Sequence, residues 1–306
     1  MRERIIQRLF KFDTYRRIVQ FLSFLFLSGT IFGQALPLLL PILWTWGLKI
    51  NVLGDAFTAL QLLLYEVFFP WAAMVSFLVI GVLLGKSLCG WICPFGFIED
   101  LVDFIKRKKM NISPRTHKSM LSIKYGILAI VLLISVTFSA LKLSAAHRGY
   151  ENALGVFVKS PFTVLSPAET LFANLPNMIL SFYDALLNTP FLDVLSGITS
   201  IPALFWVQLF ILGSVLVFSA YVPRGWCKYF CPHAAIMGIM NRFSFLGLHR
   251  DPVKCTKGSC RSCVEMCPMN IRILDLPWEK FSDPECIYCL KCVDACPDKA
   301  IKLRYP

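Results

Sequence analysis

Charged residues are scarce in this chain. They make up 16% of the 306 residues, while 56% are apolar and 26 are phenylalanine. Soluble domains carry about 25% charged residues, so the shortage argues against one and indicates a polytopic membrane protein. The charges are also unbalanced, with a net charge of +12 at pH 7. A nucleic-acid partner or basic cytoplasmic loops would each explain this excess, and the positions of the cations decide between them.

Four stretches are nearly free of charge, and each is close to the ~20 residues that a helix needs to cross the hydrocarbon core. These predicted spans cover residues 18–40, 69–85, 121–141 and 201–222. Lys and Arg number 6 in residues 1–17, 7 in 86–120 and 13 in 224–306, but only 1 in 49–67 and 3 in 142–200. Because cytoplasmic loops are enriched in cations, this distribution predicts that both termini and the middle loop are cytoplasmic.

The excess of cations lies beside the spans rather than in a separate basic domain. Residues 251–302 carry 8 Lys and Arg against 8 Asp and Glu, whereas the surplus follows the inner membrane surface, as in 106–110. Contact with membrane lipid headgroups explains this surplus, so no nucleic-acid partner is expected.

A further apolar segment, 170–192, is long enough to suggest a fifth span. It contains five residues that a span rarely carries: Asn174, Pro176, Asn177, Asp184 and Asn188. A fifth span would also carry the basic tail outside. We therefore expect an amphipathic segment on the outer membrane surface.

No cysteine remains for a dispersed disulfide framework, because all 12 fall into short motifs. Two motifs lie in the tail, residues 251–306. One is C-x2-C-x2-C-x3-C-P, formed by Cys286, Cys289, Cys292 and Cys296. The other has a longer opening gap and is formed by Cys255, Cys260, Cys263 and Cys267. Structural zinc also uses C-x2-C, but it needs only four ligands at each site.

Two such runs resemble a bacterial two-cluster ferredoxin, in which the fourth Cys of each run ligates the other cluster. The resemblance assigns one [4Fe–4S] cluster to Cys255, Cys260, Cys263 and Cys296. It assigns a second [4Fe–4S] cluster to Cys286, Cys289, Cys292 and Cys267. The gap of four residues after Cys255 departs from the usual gap of two, so the assignment of Cys255 as a ligand rests on the resemblance rather than on the spacing.

The other four cysteines form two C-x-x-x-C-P motifs, each directly after a predicted span: Cys89 and Cys93, then Cys227 and Cys231. If the helix continued through a motif, its thiols would lie on one face, and Pro would favour unwinding the helix there. Two motifs side by side would offer a third metal or cluster site, or a dithiol pair. Buried structural cysteines are the alternative.

The chain therefore contains an internal repeat of span, outer loop, span and C-x-x-x-C-P. We expect an all-α polytopic membrane protein with four transmembrane helices and a two-fold internal repeat. A small α+β two-cluster ferredoxin-like domain follows at the C-terminus. The predicted divisions are a basic arm (1–17), a first half (18–120), a second half (121–250) and the tail (251–306).

The motifs "GKSLCGWICPFG" and "PRGWCKYFCPHA", together with the two tail runs, resemble the NapH, NosR, MauN and CcoG type of membrane-bound ferredoxin. The resemblance implies a protein of the bacterial inner membrane that moves electrons towards a periplasmic redox protein or an iron–sulfur or cytochrome subunit. It also implies a multi-subunit complex and a quinol source. A CcoG-like cupric reductase and a redox sensor or assembly factor are the alternatives.

Histidine is too scarce within the spans to supply paired haem ligands. The four histidines, His117, His147, His233 and His249, all lie outside the predicted spans. Quinone, or a cofactor at the paired motifs, is then the expected link across the membrane. Glu66 and His147, at the outer ends of the second and third spans, are the candidate proton acceptors for quinol. The sequence has no nucleotide-binding Gly-rich motif.

Overall fold

The computed structural model of the chain is mainly helical, as predicted. It describes residues 11–27, 61, 64–65, 71–105, 110, 112–143, 147–158, 161–188, 202–255 and 260–305. Apart from the three-residue helix Pro167–Glu169 and the short 3-10 turns Gly155–Val158 and Thr163–Leu165, the helices of the membrane half that the structure describes are α1 (Phe12–Leu27), α2 (Trp71–Leu84), α3 (Ser87–Trp91), α4 (Pro94–Ile105), α5 (Pro114–Leu143), α6 (His147–Leu154), α7 (Leu175–Asn188), α8 (Ala203–Tyr221), α9 (Gly225–Tyr229) and α10 (Pro232–Asn241). The tail adds α11 (Ser262–Glu265) and α12 (Lys291–Asp294), and two short strands, β1 (Gly247–Arg250) and β2 (Ile301–Arg304), pair antiparallel.

Two of the described helices, α5 and α8, are long and apolar enough to cross a membrane, and they match the third and fourth predicted spans. Their large apolar side chains face outwards, with Ile130, Leu133 and Phe210 at 62%, 63% and 76% exposed. Such a surface suits contact with lipid. The other two predicted spans, 18–40 and 69–85, lie partly outside the described residues, so their membrane crossing stays a prediction.

The predicted surface segment, 170–192, is helical as far as Asn188. A π-helical turn, Thr170–Asn174, continues directly into α7. The Asn174 side-chain amide donates to Gln208 Oε1 of α8 at 3.2 Å, while Ile179 and Leu180 are exposed. The segment therefore packs one polar residue against α8 and leaves apolar residues outside, and its place at the membrane surface stays a prediction.

Both C-x-x-x-C-P motifs fold in the same way, and neither continues the preceding helix. Gly85 (φ 57°) and Arg224 (φ 52°) have left-handed backbones that turn the chain after α2 and α8. A single helical turn follows, α3 or α9, and the next helix begins at Pro94 or Pro232. The Cys93 amide donates to Leu88 O at 3.2 Å, and the Cys231 amide to Trp226 O at 3.0 Å. The helix therefore ends before each second cysteine, because the residue before Pro disfavours the α region.

The apolar core of the tail is shared with the membrane half. Cys89, Met237 and Met240 pack among buried tail residues such as Phe281 and Ile287. Strand β1 precedes the predicted division at residue 251, yet it pairs with β2 near the end of the chain. The tail is therefore built onto the two motifs rather than joined to them by a free linker.

Candidate iron–sulfur and paired-cysteine site

Four tail cysteines line one small cavity whose other walls are mostly apolar. They are Cys267 from the first run and Cys286, Cys289 and Cys292 from the second. This is the grouping that the crossed ferredoxin pattern predicts for one cluster. Left-handed backbones at Tyr288 (φ 47°) and Leu290 (φ 58°) bend the second run around the cavity.

The donor set of this cavity fits an iron–sulfur cluster. Burial, together with the neighbouring thiols, raises the pKa of Cys286 and Cys292 well above the ordinary value. Burial and Cys289 raise the pKa of Cys267 to about 11. Thiolates in such a place need a cation to balance their charge, and the iron of a cluster supplies that charge.

Backbone N–H groups point at two of the cysteine sulfurs. The Ile271 amide donates to Cys267 Sγ at 3.5 Å, and the Ala300 amide donates to Cys296 Sγ at 3.3 Å. Both contacts follow a left-handed residue, Asn270 (φ 58°) or Lys299 (φ 49°). Hydrogen bonds to ligand sulfurs stabilise negative charge and tune reduction potentials, so the two runs provide matched surroundings for a cluster.

The other predicted cluster site is described less completely. Burial, followed by the charges of Cys255 and Cys260, raises the pKa of Cys263, so these three thiols are close enough to interact electrostatically. Cys296, the predicted fourth ligand, packs against the same apolar core as Cys263. Residues 256–259, which form the longer gap, lie outside the described residues. In the described part of the chain, no three His, Cys, Asp or Glu side chains converge closely enough to hold a single metal ion.

The structure brings the two C-x-x-x-C-P motifs together at the end of the helices that carries the tail. Cys93, Cys227 and Cys231 pack in one apolar cluster with Phe95 and Trp226. Cys89 lies on the tail side of this cluster, within the core of the tail. No disulfide joins any of the twelve cysteines.

The four thiols of the motifs differ in their surroundings. Burial and the neighbouring Cys89 raise the pKa of Cys93 to about 12. Burial also opposes ionisation of Cys89, but a hydrogen bond with His233 and the charges of Lys86 and Arg224 outweigh it and lower its pKa. Burial likewise raises the pKa of Cys227, so among Cys89, Cys93 and Cys227 it is Cys89 that is best prepared to bind a soft metal or to attack a disulfide.

Glu99 is a fully buried carboxyl group beside Cys227 that the sequence analysis did not single out. Its Oε1 accepts hydrogen bonds from Ser219 Oγ at 2.9 Å and from the Trp226 amide at 2.8 Å. Burial raises the pKa of Glu99, although a hydrogen bond with Cys227 and the charge of Arg224 oppose the rise. The carboxyl group of α4 thus fixes the start of α9.

Buried ion pairs also join the motifs to the tail. Glu285 Oε2, next to Cys286, accepts a hydrogen bond from Lys86 Nζ at 2.9 Å and another from Lys124 Nζ. Both lysine side chains are fully buried. Glu285 therefore docks the second cysteine run onto the turn after α2 and onto α5. The partner of Lys124, a cation within a predicted span, is this tail carboxylate.

The internal repeat in the sequence marks two of these buried charged groups, Lys86 and Arg224. Aligning the two motifs on their first cysteine puts Lys86 and Arg224 at the same position, three residues earlier. Both are buried, and each pairs with a carboxylate, Glu285 or Asp100. The repeat could therefore have marked both cations as structural. Of the predicted proton acceptors, Glu66 lies outside the described residues, and His147 begins α6 with a side chain that is not described.

Comparison with known proteins supports the iron–sulfur assignment. The family described as 4Fe-4S binding domain matches residues 67–112 and 204–250, and each match contains one C-x-x-x-C-P motif. The family described as 4Fe-4S dicluster domain matches residues 254–301, which include all eight tail cysteines. No solved structure matches the chain. The tail is thus a 4Fe–4S ferredoxin domain.

Three curated relatives are similar to the chain over most of its length. YccM of Escherichia coli is 25% identical over 73% of this chain and 52% of its own length, so the chain spans about half of YccM. The ferredoxin-type protein NapH of Haemophilus influenzae is 25% identical over 90% of this chain and 78% of its own. The methylamine utilization ferredoxin-type protein MauN of Methylobacillus flagellatus is 23% identical over 71% of this chain and 61% of its own length. These matches confirm the resemblance drawn from the motifs: the chain is similar to the NapH, NosR and MauN type of membrane ferredoxin and carries 4Fe–4S binding domains.

Proposed function

We propose that this chain carries electrons between the quinone pool, or a cytoplasmic donor, and a periplasmic redox partner. Two [4Fe–4S] clusters in the tail would hold the electrons, and such a cluster supplies reversible one-electron transfer when it is bound. The chain would act as a multi-pass inner-membrane subunit of a larger complex, with the tail in the cytoplasm. Its partner would be a periplasmic redox protein or an iron–sulfur or cytochrome subunit.

The observation that carries this proposal is the contact between the tail cavity and both motifs. Cys89 of the first motif belongs to the same apolar core as Cys289 and Cys292. From the second motif, the buried Lys228 ammonium donates to Asn270 Oδ1 at 3.3 Å, beside Cys267. The tail site is thus continuous with the foot of the membrane helices, where electrons would enter or leave.

The ligand sets follow the crossed pattern. Cys267, Cys286, Cys289 and Cys292 would hold the cluster nearer the motifs, and their shared cavity supports this set. Cys255, Cys260, Cys263 and Cys296 would hold the other cluster. The four motif thiols, Cys89, Cys93, Cys227 and Cys231, would form a third metal, cluster or dithiol site, supported by a 4Fe-4S binding domain match on each motif.

Iron quantitation with an EPR redox titration of the purified protein tests the proposal. About eight irons per chain would confine clusters to the tail, and about twelve would place a third at the motifs. Cys267→Ser and Cys296→Ser should each remove a different signal, because the crossed pattern assigns them to different clusters. Absence of any cluster signal from the intact protein would overturn the proposal.

A cupric reductase is the second candidate, favoured by the gathering of four soft thiols and by the lowered pKa of Cys89. Purified protein that reduces Cu(II) without a partner, and loses this activity in Cys93→Ser with Cys231→Ser, would establish it. A redox sensor or assembly factor would instead keep its clusters reduced when quinone or the redox partner is added.

A further inference from the structure

A cavity of about 760 Å³ lies between the tail and the foot of the membrane helices. Its volume falls in the range of small-molecule sites, about 300–1,000 Å³. Met110 and Ile112 line one side of the cavity, and the Met110 amide donates to Tyr221 O at the end of α8 at 3.0 Å. Much of the lining is apolar and includes Ile112, Leu121 and Val222.

One wall of this cavity is shared with the candidate cluster site. Cys267, Met269 and Ile271 line the large cavity and also line the small cavity that contains Cys286, Cys289 and Cys292. A molecule in the large cavity would therefore lie against a predicted cluster ligand. Proximity of this kind is what direct electron transfer needs.

A histidine on the cavity wall is held in place by a buried tyrosine. The His117 Nδ1 atom lies 2.7 Å from the hydroxyl of Tyr229, and the two rings meet edge to face with their centroids 5.7 Å apart. Tyr229 is completely buried and belongs to the second motif. The contact fixes the ring orientation of His117, as is common for functional histidines.

The charged side chains around the cavity are nearly balanced in sign, so a strongly charged ligand is not favoured. The lining includes four carboxylates, Asp103, Glu265, Asp283 and Glu285. It also includes three cations, Lys118, Arg272 and Lys291. A nucleotide or an acidic peptide would require an excess of cations. The mixed lining suits a small neutral molecule with an apolar body and hydroxyl groups, and α5 and α8 place it at the membrane boundary.

We propose that this cavity binds the headgroup of a quinol, with His117 as hydrogen-bond partner and proton acceptor. The inference rests on the proposed function and locates its electron entry at the tail end of the helices, rather than at the predicted outer-end acceptors Glu66 and His147. Oxidation of one quinol to quinone releases two electrons and two protons. The tail cysteines would hold clusters that could accept one electron each, while His117 would accept one proton and pass it to water, and the second proton would go to water directly.

Binding of the fluorescent quinol analogue heptylhydroxyquinoline N-oxide to the full-length, iron-loaded protein tests the site. We expect saturable quenching with one analogue per chain. His117→Ala should weaken binding about tenfold, the loss expected for one hydrogen bond. Ile112→Trp should weaken binding by placing a bulky ring in part of the cavity, whereas Val253→Trp, at a position 92% exposed on the tail, should not change it. Iron content and the dithionite-reduced EPR spectrum should be unchanged in every variant.

Two results would overturn the proposed quinol site. Unchanged binding in His117→Ala and Ile112→Trp, with weakened binding in Glu66→Gln, would place the quinol at the other end of the helices. That result would overturn this inference and leave the proposed function intact. No binding to the unaltered protein, with normal cluster titrations, would also overturn the inference and would leave a cytoplasmic donor as the electron source.

Discussion

Asp100 joins three distant parts of the chain through its carboxylate. Arg224 donates to both of its oxygens, at 3.0 and 2.7 Å, and Arg16 donates to Oδ2 at 2.8 Å. The same arginines reach the first motif, because Arg224 also donates to Cys89 O and Arg16 to Gly90 O. Burial alone would raise the pKa of Asp100, but Arg224 and Arg16 outweigh it and hold the pKa well below the usual range.

We expect Asp100→Asn to destabilise the protein by about 3–5 kcal/mol, because it leaves the buried Arg224 guanidinium without its carboxylate partner and leaves Arg16 with Asp13 alone. Thermal unfolding in detergent measures the loss. Since the folded pKa of Asp100 is lowered, its stabilisation is present above its unfolded pKa of about 3.9 and is lost as the pH falls further. The variant should lack this acid-side loss. Asp251→Asn is the control, since Asp251 is partly exposed and 4.0 Å from Lys254; an equal effect there would contradict the prediction.

At the scale of elements, α3 and α9 are equivalent single turns that meet different cysteine runs. A side chain at Gly90 of α3 would place its Cβ 2.2 Å from Ile287 O, so only glycine allows the second run to approach. The equivalent residue of α9 is Lys228, which reaches the first run at Asn270. Each motif of the repeat therefore contacts a different part of the tail.

Gly90→Ala should loosen the docking of the tail, because the contact it breaks is with backbone rather than with a flexible side chain. We expect a cost of about 1–3 kcal/mol, the usual range for overpacking. Hydrogen exchange of residues 283–292 should become faster. Gly126→Ala is the matched control: Gly126 is also helical, and nothing lies within 4 Å of its added Cβ. Equal exchange in both variants would show that the close approach has no effect on docking.

The sequence predicts these elements unevenly. Hydropathy is a local property, so it places α5 and α8, and cysteine spacing is local too, so it marks the eight tail cysteines. The pairing of Asp100 with Arg224 depends on how distant segments pack, which no local pattern records. The His117 cavity is lined by residues of α5, the end of α8 and the tail, so it exists only in the folded chain. The Pro after each second cysteine did indicate where the helix stops.

At the scale of the whole molecule, ion pairs and hydrogen bonds to carboxylates join the tail to the membrane half. The Asp294 carboxylate of α12 accepts hydrogen bonds from the Phe12 and Asp13 amides at the start of α1, at 3.2 and 3.0 Å. Carboxylates are favourable at that end of a helix. Glu285 binds the opposite side of the second run to Lys86 and Lys124. The cluster site between these contacts is therefore held by charges from both halves of the protein.

Glu285→Gln should change the reduction potential of one cluster more than that of the other. The substitution removes a negative charge next to Cys286 and leaves the charges of Lys86 and Lys124 without their carboxylate. An uncompensated positive charge favours the more negative, reduced cluster, so the potential should rise on the order of 60 mV, a tenfold change for one electron. An EPR redox titration resolves the two clusters, and Glu279→Gln, at an exposed position where solvent screens the charge, should shift neither. Equal shifts of both clusters in Glu285→Gln would show that the two ligand sets are not separated as the crossed pattern requires.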